Sequence, residues 1–98
     1  MWGEKLNNIE KAITLIGLLG GPPNIRRVDV VLSGVDGLIF VITDTHKPDI
    51  DKIKALDSVI DVEVSNTVIT VRFSKEGESK QLFREIEMFF QLYDRNTP

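Results

Sequence analysis

Residues 28–43 read Val-Asp-Val-Val-Leu-Ser-Gly-Val-Asp-Gly-Leu-Ile-Phe-Val-Ile-Thr, two β-branched, apolar runs on either side of a turn. The turn contains Asp36-Gly37, and this pair favours a tight reversal between strands because both residues tolerate a left-handed backbone. Residues 38–42 are apolar without alternation, as in a strand covered on both faces near the middle of a sheet. The stretch therefore predicts a central hairpin, and the rim of that hairpin is the first place to expect a site.

A first helix is predicted over residues 3–19 by apolar residues spaced i, i+4 and i+7. Its apolar stripe consists of Trp2, Leu6, Ile9, Ile13 and Ile16, and is widened by Ala12, Leu15 and Leu19. Polar residues, Lys11 among them, are expected on the opposite, solvated face. Two glycines and two prolines at residues 20–23 end the helix, because glycine favours the left-handed position after a helix and proline cannot extend one.

Periodicity assigns the remaining elements. Strands are predicted over residues 26–33, 38–43, 59–65 and 67–73, with a short helix over 49–57 and a last helix over 78–93. Ile60 is expected on the inner face of the third strand, and Arg72 is expected to pair with that strand's acidic outer side. The last helix carries an aromatic stripe that should close the core, and residues 94–98 are expected to fray.

These elements predict one domain over residues 1–98, of the α+β class, in the order αββαββα. Two hairpins separated by a short helix form a four-stranded antiparallel sheet with helices packed on one face. The other face would stay partly open. Exposure of both Phe89 and Phe90 would point to a dimer interface, but the oligomeric state is not set by the sequence.

Composition narrows the functional classes. The chain has no cysteine, one histidine and a net charge of −3, with acidic and basic residues interspersed. Cysteine nucleophiles and cysteine or multi-histidine metal sites are therefore excluded, and neither a metal nor a cofactor is expected. The lack of a basic stripe argues against a nucleic-acid partner. Without a long apolar window or a signal peptide at residues 1–5, a cytoplasmic chain with no direct membrane insertion is expected.

Most candidate binding residues lie at the rim of the first hairpin. Asp29 lies among apolar residues, either as a site carboxylate or as part of the solvated sheet face. Ser33, Gly34 and Asp36 lie in a turn whose backbone N–H groups could bind an anion. An ordinary hairpin tip is favoured, because the turn holds no lysine or arginine and Asp36 would repel an anion.

Further candidates lie outside the rim. His46, after the second strand, could act as a phosphorylated or acid–base group, but a solvated loop histidine is favoured because no ionisable residue has a catalytic spacing to it. Arg26 and Arg27 form a small basic spot that could dock an acidic partner. The glycines of residues 20–23 follow a helix instead of preceding one, so no phosphate-binding loop is expected.

The order and spacing of these elements resemble the enzyme IIB domain of the glucose-type bacterial sugar phosphotransferase system. The likeness covers about four-fifths of the chain, from residue 13 to residue 90. It includes a helix ending in Leu19-Gly20-Gly21, then Asn24-Ile25, Val28-Asp29 opening the first strand, Lys54-Ala55-Leu56 before Val59, the hairpin at 62–73 and a long final helix. The order αββαββα is also that family's order.

The resemblance implies a phosphoryl relay from which this chain departs. In the family, a cysteine at the end of the first strand accepts a phosphoryl group from a histidine of a partner IIA protein and passes it to a sugar in the membrane IIC domain. The family motif is Asp-Ala-Cys, any residue, Thr-Arg-Leu-Arg. Asp29 matches the aspartate, Val30 replaces the alanine, Val31 replaces the cysteine, and Gly34 stands where the first arginine is expected. Valine has no nucleophile, and the missing arginines remove the bonds that would hold a phosphoryl group.

Two main hypotheses follow from this resemblance. The first is a non-catalytic, IIB-like binding or regulatory module in sugar transport, with IIA-like or other phosphotransferase-system or regulatory proteins as partners. The second is a phosphotransfer protein in sugar uptake that uses a non-cysteine acceptor, with His46, Ser33 or Asp36 as candidates. A small-molecule sensor of the general α+β kind is a third reading. Because Val31 replaces the phosphorylated cysteine, enzymatic activity is not expected.

Overall fold

The computed structural model of the chain describes residues 7–32 and 34–96. Within them, the bounds are α1 Asn8–Leu18, β1 Ile25–Val30, β2 Gly37–Ile42, α2 Ile50–Lys54, β3 Val59–Ser65, β4 Val68–Phe73 and α3 Glu78–Asn96, with a 3₁₀ turn at Pro22–Asn24. The four strands form one antiparallel sheet in the order β1-β2-β4-β3. The predicted α+β class, the element order αββαββα and the antiparallel sheet are confirmed.

The first hairpin forms, but its turn differs from the predicted one. The prediction placed the reversal at Asp36-Gly37, whereas Gly37 belongs to β2 and the positive φ, 83°, lies at Gly34. The connection spans residues 31–36, so it is a loop and not a two-residue turn. Gly37 is needed for another reason: a Cβ there would lie 2.8 Å from the carbonyl oxygen of Val71 on β4. Glycine at this position permits a close approach of two backbones.

Helix α1 begins at a capping box. The Asn7 side chain accepts a hydrogen bond from the Glu10 N–H at 2.8 Å, and the Glu10 carboxylate accepts one from the Asn7 N–H at 3.1 Å. These bonds satisfy two backbone donors that a helix start otherwise leaves unpaired. The helix therefore begins at Asn8, later than the predicted start at residue 3. Trp2 and Leu6 of the predicted stripe lie outside the described residues.

The buried face of α1 also differs from the prediction. Ile9 and Ile13 are 56% and 50% exposed, whereas Lys11, expected in solvent, is 3% exposed. The helix buries Ala12, Leu15 and Ile16, followed by Leu19. These four residues all belong to the predicted stripe, so the buried face is the widened side of that stripe and extends to Lys11 instead of to Ile9 and Ile13.

The second hairpin joins β3 to β4 through Asn66, whose φ is 53°. Arg72 Nε lies 3.5 Å from Glu63 Oε1, so the predicted cross-strand pairing is confirmed. The inward position predicted for Ile60 is wrong: this residue is exposed beside a bulge in the register of β3. The bulge adds a residue to the strand and interrupts its alternation.

The last two helices differ from the prediction in length. Helix α2 is shorter than predicted, with Ile53 fully buried, and α3 continues to Asn96 instead of fraying after Tyr93. Phe89 packs edge-on against Phe90, with ring centroids 5.8 Å apart, and stacks on Tyr93 at 6.3 Å. These rings are half-buried and lie at the margin of the core.

The core lies between the helices and one face of the sheet. Its buried apolar side chains are Ala12, Leu15, Ile16, Leu19, Ile25, Leu38, Phe40, Ile42, Ile53, Val62, Ile69, Val71, Phe73, Leu82 and Ile86. The opposite sheet face carries half-buried Ile39, Val41 and Val68 on its two central strands, with charged side chains on the edge strands. Such a face presents apolar area to solvent, as the prediction of a partly open sheet requires.

Candidate functional site

The rim of the first hairpin is held in place by backbone hydrogen bonds at both ends of the 31–36 loop. The Val31 N–H donates to the Gly37 carbonyl oxygen at 2.9 Å, and the Phe73 N–H donates to the Asp36 carbonyl oxygen at 2.8 Å. The loop is therefore fastened to β2 at its base and to the end of β4 beside it. Val31, the residue in the cysteine position of the resemblance, lies directly after β1, at the base of this loop.

Asp36 connects the rim to helix α3. Its Oδ2 accepts a hydrogen bond from the Ser79 N–H at 2.8 Å, within the first turn of α3. A carboxylate in this position satisfies a free helix N–H and interacts favourably with the positive end of the helix dipole. The Asp36 carboxylate is therefore bound to the start of α3, which gives it a structural role in joining the rim to this helix.

A groove of about 600 Å³, here called the rim groove, lies between the 31–36 loop and the start of α3. Val31, Leu32 and Val35 supply its apolar side, and its charged lining residues are two acidic ones, Asp36 and Glu76, and one basic one, Lys80. Leu32 is 95% exposed and Val35 is 48% exposed, so two neighbouring apolar side chains of the loop face solvent. This arrangement offers apolar contact area with a polar border, and its one basic lining side chain is Lys80 among the described residues.

Asp29 is not part of this groove. It lies on the open sheet face opposite Ile39, and its Oδ2 is 2.7 Å from Arg27 Nε. Both partners of this ion pair are substantially exposed, so the pair contributes at most about 1 kcal/mol to stability. The structure thus supports the solvated-face interpretation of Asp29.

His46 lies at the other end of the sheet from the rim. The rim precedes Gly37, the first residue of β2, whereas His46 follows the last, Ile42. Its side chain is 96% exposed, with Nδ1 3.5 Å from Asp44 Oδ1. Of the predicted site residues, Gly34 and Asp36 therefore line the rim groove, whereas Asp29 and His46 do not. Ser33 lies outside the described residues.

A buried polar cluster escaped the sequence-based prediction. Lys11 Nζ pairs with Glu78 Oε2 and donates to the Ser58 hydroxyl at 3.1 Å. The same hydroxyl lies 2.6 Å from Glu78 Oε1, and Asp57 Oδ2 is 3.8 Å from Nζ. Lys11 and Glu78 are both nearly fully buried, and Ser58 has a φ of 64°, a left-handed conformation uncommon for serine.

This cluster is a structural junction. Lys11 belongs to α1, Ser58 to the connection between α2 and β3, and Glu78 to α3, so the three side chains join separate parts of the chain. The one available signal was the spacing of Lys11 from Leu15 and Leu19, which at i+4 and i+8 places all three on one helix face. Because the charges are paired with each other, the cluster does not present an unsatisfied group for catalysis.

Comparison with known proteins identifies no family. No family model matches the chain, and no curated protein sequence matches it significantly. Among residues 7–32 and 34–96, no group of three or more metal-ligating histidine or carboxylate side chains is placed to hold a metal ion. Over the same residues, every helix is too short or too polar to cross a membrane.

Proposed function

We propose that the chain is a non-catalytic, IIB-like module of the bacterial sugar phosphotransferase type that binds a partner protein through the rim of its first hairpin. The observation that carries this proposal is the hydrocarbon side chain of Val31 at the end of β1, lining the rim groove. In the family that the chain resembles, the phosphorylated cysteine follows the first strand in this way. Valine in that position leaves no nucleophile for a phosphoryl group.

The chemistry of the rim supports binding in preference to transfer. The chain contains no cysteine, and residues 31–36 contain no lysine or arginine that could hold a phosphoryl group. Leu32 and Val35 are exposed beside Val31, and exposed apolar residues at a loop tip suit contact with a protein surface. The partner proposed from the resemblance is a IIA-like or regulatory protein in the bacterial cytoplasm, in sugar transport or its regulation.

A titration with a phosphorylated glucose-type IIA protein tests this function. We expect saturable binding that shifts the NMR signals of residues 31–37, with no gain of a phosphoryl group in the intact mass of the chain. Leu32→Glu should abolish binding because it places a charge in the apolar contact. Met88→Glu, the same apolar-to-acidic change at an exposed position of α3, is the matched control and should bind normally.

Two results would contradict the proposal. Stoichiometric phosphoryl transfer to any side chain would exclude a non-catalytic role. Equal binding by wild type and Leu32→Glu, or no binding by either, would exclude the rim as the docking surface for a IIA protein.

Phosphotransfer to a non-cysteine acceptor is the alternative proposal. Its most accessible acceptor is His46, whose imidazole is solvated but lies away from the rim groove. The same incubation followed by peptide mass spectrometry tests it, and a phosphorylation signal that disappears in His46→Ala would favour this alternative over binding alone.

A further inference from the structure

A second groove lies between the edge of β1 and the C-terminal half of α3. Its volume is about 470 Å³, and it shares no lining residue with the rim groove. Arg26, Arg27 and Val28 line it from the strand side, and Glu87, Phe90 and Tyr93 line it from the helix side. We propose that this groove binds an extended, acidic peptide segment of a partner protein, which adds to β1 as a fifth strand.

The backbone of β1 is available for such an addition. β1 is an edge strand, because its neighbour in the sheet is β2 alone. The hydrogen bond from the Val31 N–H to Gly37 makes these two residues a hydrogen-bonded pair. Along antiparallel strands, hydrogen-bonded pairs alternate with pairs that are not hydrogen-bonded to each other, so Asp29 also bonds to β2. Val28 and Val30 lie between these pairs and direct their N–H and C=O groups away from β2. A peptide strand could satisfy these outward donors and acceptors.

The irregular part of β1 does not block this edge. The register shift lies between Ile25 and Arg27, at the start of the strand. Residues 27–30 pair regularly with β2, so the outward groups of Val28 and Val30 keep the spacing of an ordinary strand. The bulge leaves Arg26 outside the regular pairing, where its side chain lines the groove.

Charge indicates the chemistry of the peptide. Two arginines and one glutamate, Glu87, line this groove, although the chain carries a net charge of −3. Arg27 already pairs with Asp29 at 2.7 Å, whereas Arg26 has no ion-pair partner among the described residues. An exposed guanidinium beside a row of free backbone donors attracts carboxylates and can bind one with two parallel hydrogen bonds.

The aromatic side of the groove suits the alternate residues of the same peptide. Phe90 and Tyr93 are half-buried and line the groove together with half-buried Val28. Successive side chains of a strand point to opposite faces, so a peptide with alternating acidic and apolar residues would direct its apolar side chains to one side. Main-chain pairing would supply affinity, and these side-chain contacts would supply selectivity.

The test uses the full chain, ¹⁵N-labelled, and a soluble ten-residue peptide in which valine alternates with aspartate or glutamate. We expect saturable binding, shifts at residues 27–30, and at least tenfold slower hydrogen exchange at the amides of Val28 and Val30. Two control peptides should bind at least tenfold more weakly. One replaces each acidic residue with lysine, and the other places two prolines in the centre to remove backbone donors.

Matched charge reversals locate the site. Arg26→Glu should weaken binding of the acidic peptide at least tenfold, whereas Lys54→Glu, an equivalent reversal at an exposed position of α2, should change it less than twofold. Circular dichroism of both variants establishes that they fold.

Specific outcomes overturn this proposal. Equal affinity for the acidic and lysine peptides, or for wild type and Arg26→Glu, removes the role of charge. Equal affinity for the proline peptide, or unchanged exchange at Val28 and Val30, removes strand addition. Shifts confined to residues 31–36 assign the peptide to the rim, and a lack of saturation at 1 mM peptide excludes the site. None of these outcomes bears on whether a IIA protein docks at the rim.

Discussion

Replacing Glu78 with leucine should destabilise the chain strongly, because it leaves the Lys11 ammonium buried without its main counter-ion. Lys11 is 3% exposed and also lies in the first turn of α1, where the helix dipole disfavours a positive charge. Breaking a buried pair by removing one partner typically costs about 3–5 kcal/mol. The Ser58 hydroxyl at 3.1 Å and the Asp57 carboxylate at 3.8 Å from Lys11 Nζ remain as partial compensation. We therefore expect a loss of stability at the lower end of this range, about 3 kcal/mol.

The reverse change should cost less. Lys11→Met leaves the Glu78 carboxylate with the Ser58 hydroxyl at 2.6 Å and within the first turn of α3, where the dipole favours a negative charge. We expect a loss of about 1–2 kcal/mol for this variant. The double variant Lys11→Met/Glu78→Leu should return to within about 1 kcal/mol of wild type, because apolar residues of similar volume often replace a buried pair without loss.

Urea unfolding followed by circular dichroism measures these free energies, and thermal unfolding checks them. For a domain of this size, a loss of about 3 kcal/mol lowers the Tm by roughly 12–24 °C. Glu76→Leu, at an exposed position two residues before Glu78, is the matched control and should change stability by less than about 0.5 kcal/mol. The reasoning is refuted if Glu78→Leu costs less than about 1 kcal/mol, or if the two single losses simply add in the double variant.

Three further variants test contacts that fix the loops. Asp36→Ala removes the carboxylate that accepts a hydrogen bond from the start of α3, and it should lower the free energy of unfolding in urea by about 1 kcal/mol. Hydrogen exchange in the first turn of α3 should become faster, and unchanged exchange would contradict the capping role. Gly37→Ala should cost about 1–3 kcal/mol in thermal unfolding because its Cβ would lie 2.8 Å from the Val71 carbonyl oxygen, and a neutral effect would show that the strands separate without strain. Asn24→Ala removes three hydrogen bonds of a buried side chain and should lower the unfolding free energy by about 2–4 kcal/mol, whereas a loss under about 1 kcal/mol would mean that water replaces them.

The sheet could be predicted because its signals are local. The unbroken apolar run of β2 and the alternation in β4 are features of neighbouring residues, and both strands lie where those patterns placed them. The central position of β2 follows from the same pattern, since a strand that is apolar on both faces is favoured between two other strands. The buried, central position of β2 in the sheet agrees with that pattern.

The errors arose where contacts between distant residues override local patterns. Ile9 and Ile13 set the predicted face of α1, but Lys11 is buried because Glu78, 67 positions later, supplies its counter-ion. Asp36 looked like a turn residue, but its side chain accepts from Ser79, 43 positions later. The spacing of Lys11 from Leu15 and Leu19 could have placed Lys11 on the buried helix face, but periodicity within one element cannot reveal a partner in another element, so it could not predict either pairing.

The rim can keep its shape without any chemistry at Val31. The contacts that fix the 31–36 loop are the Asp36 side-chain bond to α3, the two backbone hydrogen bonds at its base, and the close approach at Gly37. None of these contacts needs a polar side chain at position 31: Val31 contributes its backbone N–H and its Cγ2 methyl group, which lies 3.2 Å from the place of a Cβ at Gly37. A nucleophile at position 31 would therefore not be required for the fold, and its replacement by valine would remove transfer while leaving a docking surface intact. This architecture can therefore exist with or without a nucleophile at position 31, and the proposed non-catalytic binding module requires that independence.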